Sequence, residues 1–307
     1  MQRREQVIYF LNHQITTMKN LLFLAFLSIL FAACKKNNAS STQSLNLTIA
    51  NLEDLGSSAR YEGWIMVNGT PVTTGTFTVN ATGQLSKTSF ELDKTQLSQA
   101  TAFILTVEPF PDPSPSPSEV HLLAGGFSAN SAALTIGHPA ALNNNFLSAT
   151  GKYVLATPTT ASATDELSGL WFVNFASGSP AVGLSLPALP SGWRFEGWAV
   201  INGKPITTGV FTNASGADAS KPFSGPLAGP PFPGEDFITN APAGTTFPTN
   251  LAGGMAVITI EPFPDNSPAP FLLKPLIGNI PNPATDRVTY NMNLNATTFP
   301  TGMATRN

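Results

Sequence analysis

Three carboxylates occur twice in this chain, each time in the same local setting. Glu62 and Glu196 each precede Gly-Trp, Glu108 and Glu261 each precede a proline, and Asp112 and Asp265 each close a Phe-Pro-Asp triplet. Two carboxyl groups held roughly 5 to 10 Å apart can cleave a glycosidic bond, one protonating the leaving oxygen while the other attacks or activates water. That chemistry requires the Glu-Gly-Trp segment and the Phe-Pro-Asp segment to converge. Each residue also has a structural reading. Glu108 and Glu261 read as exposed strand ends before proline. Asp112 and Asp265 read as turn residues whose side chains accept backbone N–H groups. On this reading the chain has no catalytic residue and is not an enzyme.

Other chemistries find less support. No Gly-x-Ser-x-Gly elbow, phosphate loop or dinucleotide fingerprint is present. Asp112–Glu119 and Gly234–Phe237 offer oxygens for calcium, but neither has the alternating acidic spacing of a dedicated loop. Beyond the leader only His121, His138 and Cys34 remain as nitrogen or sulfur ligands, too few for zinc. The expectation is therefore no metal and no cofactor. Among the aromatics, Trp64 and Trp198 read as core anchors. Trp193, in the turn-like segment ALPSGWRFEGW, is the tryptophan best placed for an exposed binding ring.

The elements that would position these residues are strands. Only 11% of the 307 residues are charged, with 25 Gly and 27 Pro, and 42% are hydrophobic. That mixture describes an all-β protein rich in turns rather than a disordered chain. A net charge of -3 gives no basic surface, so nucleic acid is not expected as a partner.

Met18–Cys34 reads MKNLLFLAFLSILFAAC: one Lys, an unbroken apolar run and small residues before the single cysteine. This is a secretory leader. Phe31-Ala32-Ala33-Cys34 resembles a bacterial lipobox, which implies cleavage before Cys34 and lipidation of its thiol. Residues 1–33 are then upstream sequence and signal peptide, and residues 34–43 are the lipidated cysteine with a polar tether. Acylation at Cys34 would hold the protein at a bacterial membrane, and the outer membrane's periplasmic face is favoured over the cell surface.

Repetition dominates the rest. Residues 60–78 match 194–212 at twelve of nineteen positions, and 103–117 match 256–270 at nine of fifteen. The offsets, 134 and 153, differ by nineteen residues, which fall in a Pro- and Gly-rich stretch near 213–254 that reads as a long loop. Asn68-Gly69 and Asn202-Gly203 mark two tight hairpins. About seven short strands per repeat predict two tandem β-sandwich modules, Ig-like or related, at 44–144 and 145–307. No segment after the leader has helical periodicity.

In each repeat a Gly-Trp strand, a turn, Pro-(Val/Ile)-Thr-Thr-Gly-x-Phe, and an apolar strand ending in Glu-Pro resemble the extracytoplasmic C-terminal domain of anti-sigma-K factors. The matching residues are Trp64, Pro71, Gly75, Phe77, Glu108, Pro109 and Pro115, and again Trp198, Pro205, Gly209, Phe211, Glu261, Pro262 and Pro268. The resemblance implies an extracytoplasmic module and suggests an accessory role in sigma-factor signalling. The family's cytoplasmic helical domain and membrane helix are replaced here by the leader, so direct sigma-factor sequestration is not expected. The sequence reading is thus a non-enzymatic envelope lipoprotein that binds or senses an envelope protein or a glycan. A carbohydrate-active hydrolase is the outsider.

Overall fold

A computed structural model describes residues 41–307 except Asn266. The expected signal peptide, Cys34 and the expected tether as far as residue 40 lie outside the described residues. Thr42 and Gln43, expected to end the tether at residue 43, instead open the first strand, where backbone pairing with Asp93 and Leu92 orders them. The fold is all-β, built of antiparallel sheets in the manner of β-sandwiches.

The first repeat supplies β1 (Thr42–Ala50), β2 (Ala59–Val67), β3 (Thr70–Phe77), β4 (Ser89–Asp93), β5 (Ala102–Pro109), β6 (His121–Gly126) and β7 (Ser131–Thr135). Between β4 and β5 lies one short helix, α1 (Lys94–Gln99), capped by Asp93, whose side chain accepts the Gln96 N–H at 2.9 Å. This helix was not expected; six residues are too few to display a period, and the cap and the buried Leu97 hold it in place.

The second repeat and its preceding segment supply β8 (Thr150–Leu155), β9 (Gly169–Trp171), β10 (Val173–Asn174), β11 (Ala181–Val182), β12 (Leu184–Ser185), β13 (Trp193–Ile201), β14 (Lys204–Phe211), β15 (Gly234–Asp236), β16 (Met255–Pro262), β17 (Leu276–Asn279), β18 (Tyr290–Asn291) and β19 (Asn293–Leu294). The last strand is β20 (Thr301–Arg306). The hairpin β2–β3 pairs β2 with β5, and β13–β14 pairs β13 with β16, so the central three strands of the repeat recur in the same order. Both Asn-Gly turns have positive φ at both positions, 50° and 79° at Asn68-Gly69, 51° and 78° at Asn202-Gly203, as a two-residue hairpin demands.

The repeats do not form two self-contained tandem modules. β20 inserts between β7 and β1, giving the eight-stranded order β3-β2-β5-β6-β7-β20-β1-β4. The boundary at residue 144 therefore fails for the last strand, which completes the first repeat's sheet. Its ladders bury Ala304, and Arg306 Nη1 donates to Leu97 O (2.7 Å) and Ala100 O (3.0 Å), tying β20 to α1. Residues 42–307 form one compact unit, and one hydrophobic core runs through it, including Leu45, Tyr61 and Phe103 of the first repeat with Phe195, Ile258 and Leu276 of the second.

The long stretch near 213–254 is also more ordered than its composition suggests. It carries β15, which pairs with β9. Asp236 accepts Trp171 Nε1–H (2.7 Å) and the Thr159 N–H (2.8 Å), and Phe223, Phe237 and Phe247 pack with ring centroids 5.5 to 6.0 Å apart. The carboxylates of Gly234–Phe237 thus hold the loop down.

Candidate functional site

The Thr-Thr-Gly triplets build the platform. Gly63 pairs with Gly75 but Trp64 with Thr73, so Thr74 is an extra residue, and Thr208 is its counterpart opposite Gly197–Trp198. This is a β-bulge, which bends the strand and re-aims the side chains beside it. Next to it the Thr73 hydroxyl donates to Glu62 Oε1 and the Thr207 hydroxyl to Glu196 Oε1. The same hydroxyls accept Gly75 N–H (3.0 Å) and Gly209 N–H (2.9 Å). Glu62 and Glu196 are therefore retained with their bulges, a link that the sequence left unexplained.

The neighbouring positions repeat in the same detail. Trp64 Nε1–H donates to Thr106 Oγ1 (2.9 Å) and Trp198 Nε1–H to Thr259 Oγ1 (2.8 Å), and both rings are buried. Trp64 packs with Ile104, Ala124 and Ala141, a small cluster apart from the main core. Asp112 Oδ1 accepts the Ser114 N–H and Asp265 Oδ1 the Ser267 N–H, each at 2.8 Å, as the turn reading expects.

Two expectations fail. Glu108 and Glu261 are not exposed strand ends: they are 2% and 1% exposed. The chain beyond each Phe-Pro-Asp turn folds back over the carboxylate. Both oxygens of Glu108 accept the Ser118 N–H (2.9 and 3.1 Å), and both of Glu261 accept the Phe271 N–H (2.9 and 3.1 Å). Trp193 is no exposed ring either. It opens β13 rather than lying in a turn, is 1% exposed and packs on Phe271 at 5.9 Å. The exposed rings are Phe110 and Phe263, each stacked under an arginine: Arg60 at 3.8 Å and Arg194 at 4.3 Å.

The carboxylates converge in the second repeat. One ligand atom each from Glu196, Glu261 and Asp265 lies within 4.8 Å of the others, the first two residues buried and the third half-buried. Burial pushes the Glu196 carboxyl up to about 7, with Asp265 adding to the rise and the Thr207 hydroxyl opposing it. Burial likewise raises Glu261 to about 8, against the hydrogen bonds of Thr259 and Phe271, with the negative charges of Glu196 and Asp265 adding. In the first repeat Glu62 is raised by burial, opposed by Thr73, with Glu108 and Asp112 contributing repulsion.

Glu261 and Asp265 also border a cavity of about 640 Å³ between the two repeats. Val107, Glu108 and Ser118 line it from the first repeat; Arg194, Phe263 and Phe271 line it from the second. Glu53, pushed by burial to about 7 against the pull of Lys274, stands on the wall. The volume is that of a small-molecule or short-segment site, with mostly apolar walls and a few polar groups. Sequence reasoning missed Glu53 and Arg194 because nothing local marks a residue that faces a distant repeat; the paired Phe-Pro turns were the available signal for Phe263. Comparison with known proteins finds no matching family model, no matching curated protein and no matching solved structure.

Proposed function

We propose that this protein is a non-enzymatic, lipid-anchored envelope lipoprotein that binds an envelope protein segment or a glycan in the cleft between its repeats. The cleft carries the reading: about 640 Å³, walled by Val107, Pro109, Phe263 and Phe271, with Arg194 and Glu53 as polar contacts. Walls that are mostly apolar by area but carry several charged groups suit recognition of a ligand with both apolar and polar parts. The leader ending at Cys34 supports the anchor, and the resemblance of each repeat to an anti-sigma extracytoplasmic domain supports a sensing role.

The convergence of Glu196, Glu261 and Asp265 is what a hydrolase would require, so this second reading must be weighed. Glu196 is not among the residues lining the cleft, and both Glu261 oxygens are taken by the Phe271 N–H in a residue 1% exposed. A general acid must come within hydrogen-bond reach of the leaving oxygen, and neither glutamate is delivered to one. Binding is the better account.

A photo-crosslinking residue at Ser191, on the exposed rim of the cleft, tests it in intact cells. The expected result is a discrete crosslinked envelope component, lost when Ala59 on the opposite wall is changed to Trp, and absent when the probe sits at the remote exposed turn residue Thr82. Equal crosslinking at Ser191 and Thr82 would overturn the cleft as the binding site. Cys34→Ser in the same strain is expected to release the protein from membranes, and persistence in the membrane fraction would refute the anchor.

A further inference from the structure

We propose that Glu196, Glu261 and Asp265 form a calcium site beside the cleft, whose wall Glu261 and Asp265 share. Three observations converge on it. Their ligand atoms lie within 4.8 Å of one another, a spacing compatible with oxygens around one ion at calcium–oxygen distances of about 2.3 to 2.6 Å. Glu196 Oε2 is completely buried, in a residue only 5% exposed, and has no hydrogen-bond partner, while its sister oxygen is held by the Thr207 hydroxyl. A buried carboxylate oxygen without a donor is costly unless a proton or cation meets it. The charged groups acting on Glu196 and Glu261 are themselves carboxylates: Asp265 on both, and Glu196 on Glu261.

The obvious basic residue does not serve. Arg194, on the same strand, donates Nη1–H to Trp193 O (2.7 Å) and lies over the Phe263 ring. A hard dication with oxygen ligands suits the set better than a soft metal, since only carboxylates converge. The turn that presents Asp265 is braced from within: Asp265 accepts the Ser267 N–H, and Ser267 Oγ accepts the Ala269 N–H at 3.1 Å. The ion would join β13, β16 and the loop after β16, and so fix the wall of the cleft formed by Phe263 and Phe271.

The repeat supplies an internal control. Glu62, Glu108 and Asp112 occupy the matching positions, yet among the described residues only the second-repeat trio comes within common ligand reach, and neither Glu62 oxygen is both fully buried and unpartnered. The site stands whether or not the cleft holds a ligand, so it is tested on the unliganded protein.

The full chain, stripped with chelator, is titrated with calcium while thermal unfolding is followed, and with terbium while luminescence is excited through tryptophan. The expected result is a rise in Tm and a terbium signal, with half-saturation around 0.1 to 1 mM calcium, the range of extracytoplasmic modules. Glu196→Gln and Asp265→Asn should each weaken the response about tenfold or more, as loss of a ligand does, while Glu62→Gln should leave it unchanged. Should Glu196→Gln fail to fold, Asp265→Asn, on the half-buried turn, decides the matter. No response of the native protein up to about 10 mM calcium, tenfold beyond that range, would overturn the site. So would a response that Asp265→Asn leaves intact, and a response equally reduced by Glu62→Gln would assign it to general acidity instead. A site lost without change in Ser191 crosslinking would leave the binding reading standing.

Discussion

At Gly197 an added Cβ would lie 2.1 Å from Thr208 Oγ1 and 2.5 Å from the Phe172 ring; at Gly63 the corresponding distances are 2.4 Å to Thr74 Oγ1 and 2.8 Å to Phe103. The bulged threonine and a phenylalanine fill the space that each glycine leaves empty. The ring comes from different places in the two repeats. Phe103 sits on β5, but its counterpart on β16 is Ala256, and Phe172 beside β9 takes over. Packing was conserved in volume while the supplier changed, which no comparison of repeat sequences reveals. Gly197→Ala should therefore cost about 1 to 3 kcal/mol, as overpacking does, lowering Tm by roughly 2 to 4 °C per kcal/mol. Gly216→Ala, whose Cβ would meet nothing closer than 3.9 Å, should be close to neutral. Differential scanning calorimetry of both variants checks this, and equal effects would mean that the bulge relaxes to admit a methyl group.

Among the elements, the hairpins were the most legible, because Asn-Gly turns and alternating apolar residues are local signals. Glu62, Trp64, Glu196 and Trp198 were placed on their strands for that reason. The burial of Glu108 and Glu261 was not legible, because it depends on where the chain goes after the Phe-Pro-Asp turn. The stretch near 213–254 illustrates the same limit: Pro and Gly dominate its composition, yet β15, the buried Glu235 and Asp236 and the half-buried Asp218 organise it. Burial pushes Glu235 up to about 7, opposed by the Ser224 hydroxyl and Phe223 N–H, and Asp218 up to about 6, opposed by Gly234 N–H and Lys221. A folded-state pKa raised above the unfolded value gives stability that is full below the unfolded value, near 4.5 for Glu235, and lost as pH rises through about 7. Hydrogen exchange in residues 213–254 should accordingly speed up between pH 5 and pH 7.5 beyond the intrinsic rate. Glu235→Gln, which keeps an acceptor for Ser224, should remove part of that acceleration. Exchange with the same pH dependence in both proteins would count against the buried glutamate as its source.

For the whole molecule, the decisive element is β20. TGMATR has one buried side chain, Ala304, and no apolar run, and its partners lie about 170 and 255 residues earlier in the chain. Pairing over such separations leaves no local trace in sequence, so a repeat that is plain in the residues reads as a pair of modules. The ladder couples the end of the chain to its first strand, with Leu45 opposite Arg306 and Ala50 opposite Thr301. The shared core couples the repeats again through Tyr61, Phe195 and Ile258. Two such couplings make independent unfolding of the repeats costly, and small cooperative units unfold in one step. Calorimetry of the protein should therefore show one endotherm whose calorimetric and van't Hoff enthalpies agree. Ending the chain at Pro300 removes β20, leaves facing edges of β1 and β7 unpaired, and frees the carbonyls that Arg306 caps. The single transition should then shift down as a whole by many degrees. A truncated chain that loses stability only in a separate, first-repeat transition, with the second-repeat signal unmoved, would show instead that the repeats fold as independent modules and that β20 belongs to the first alone.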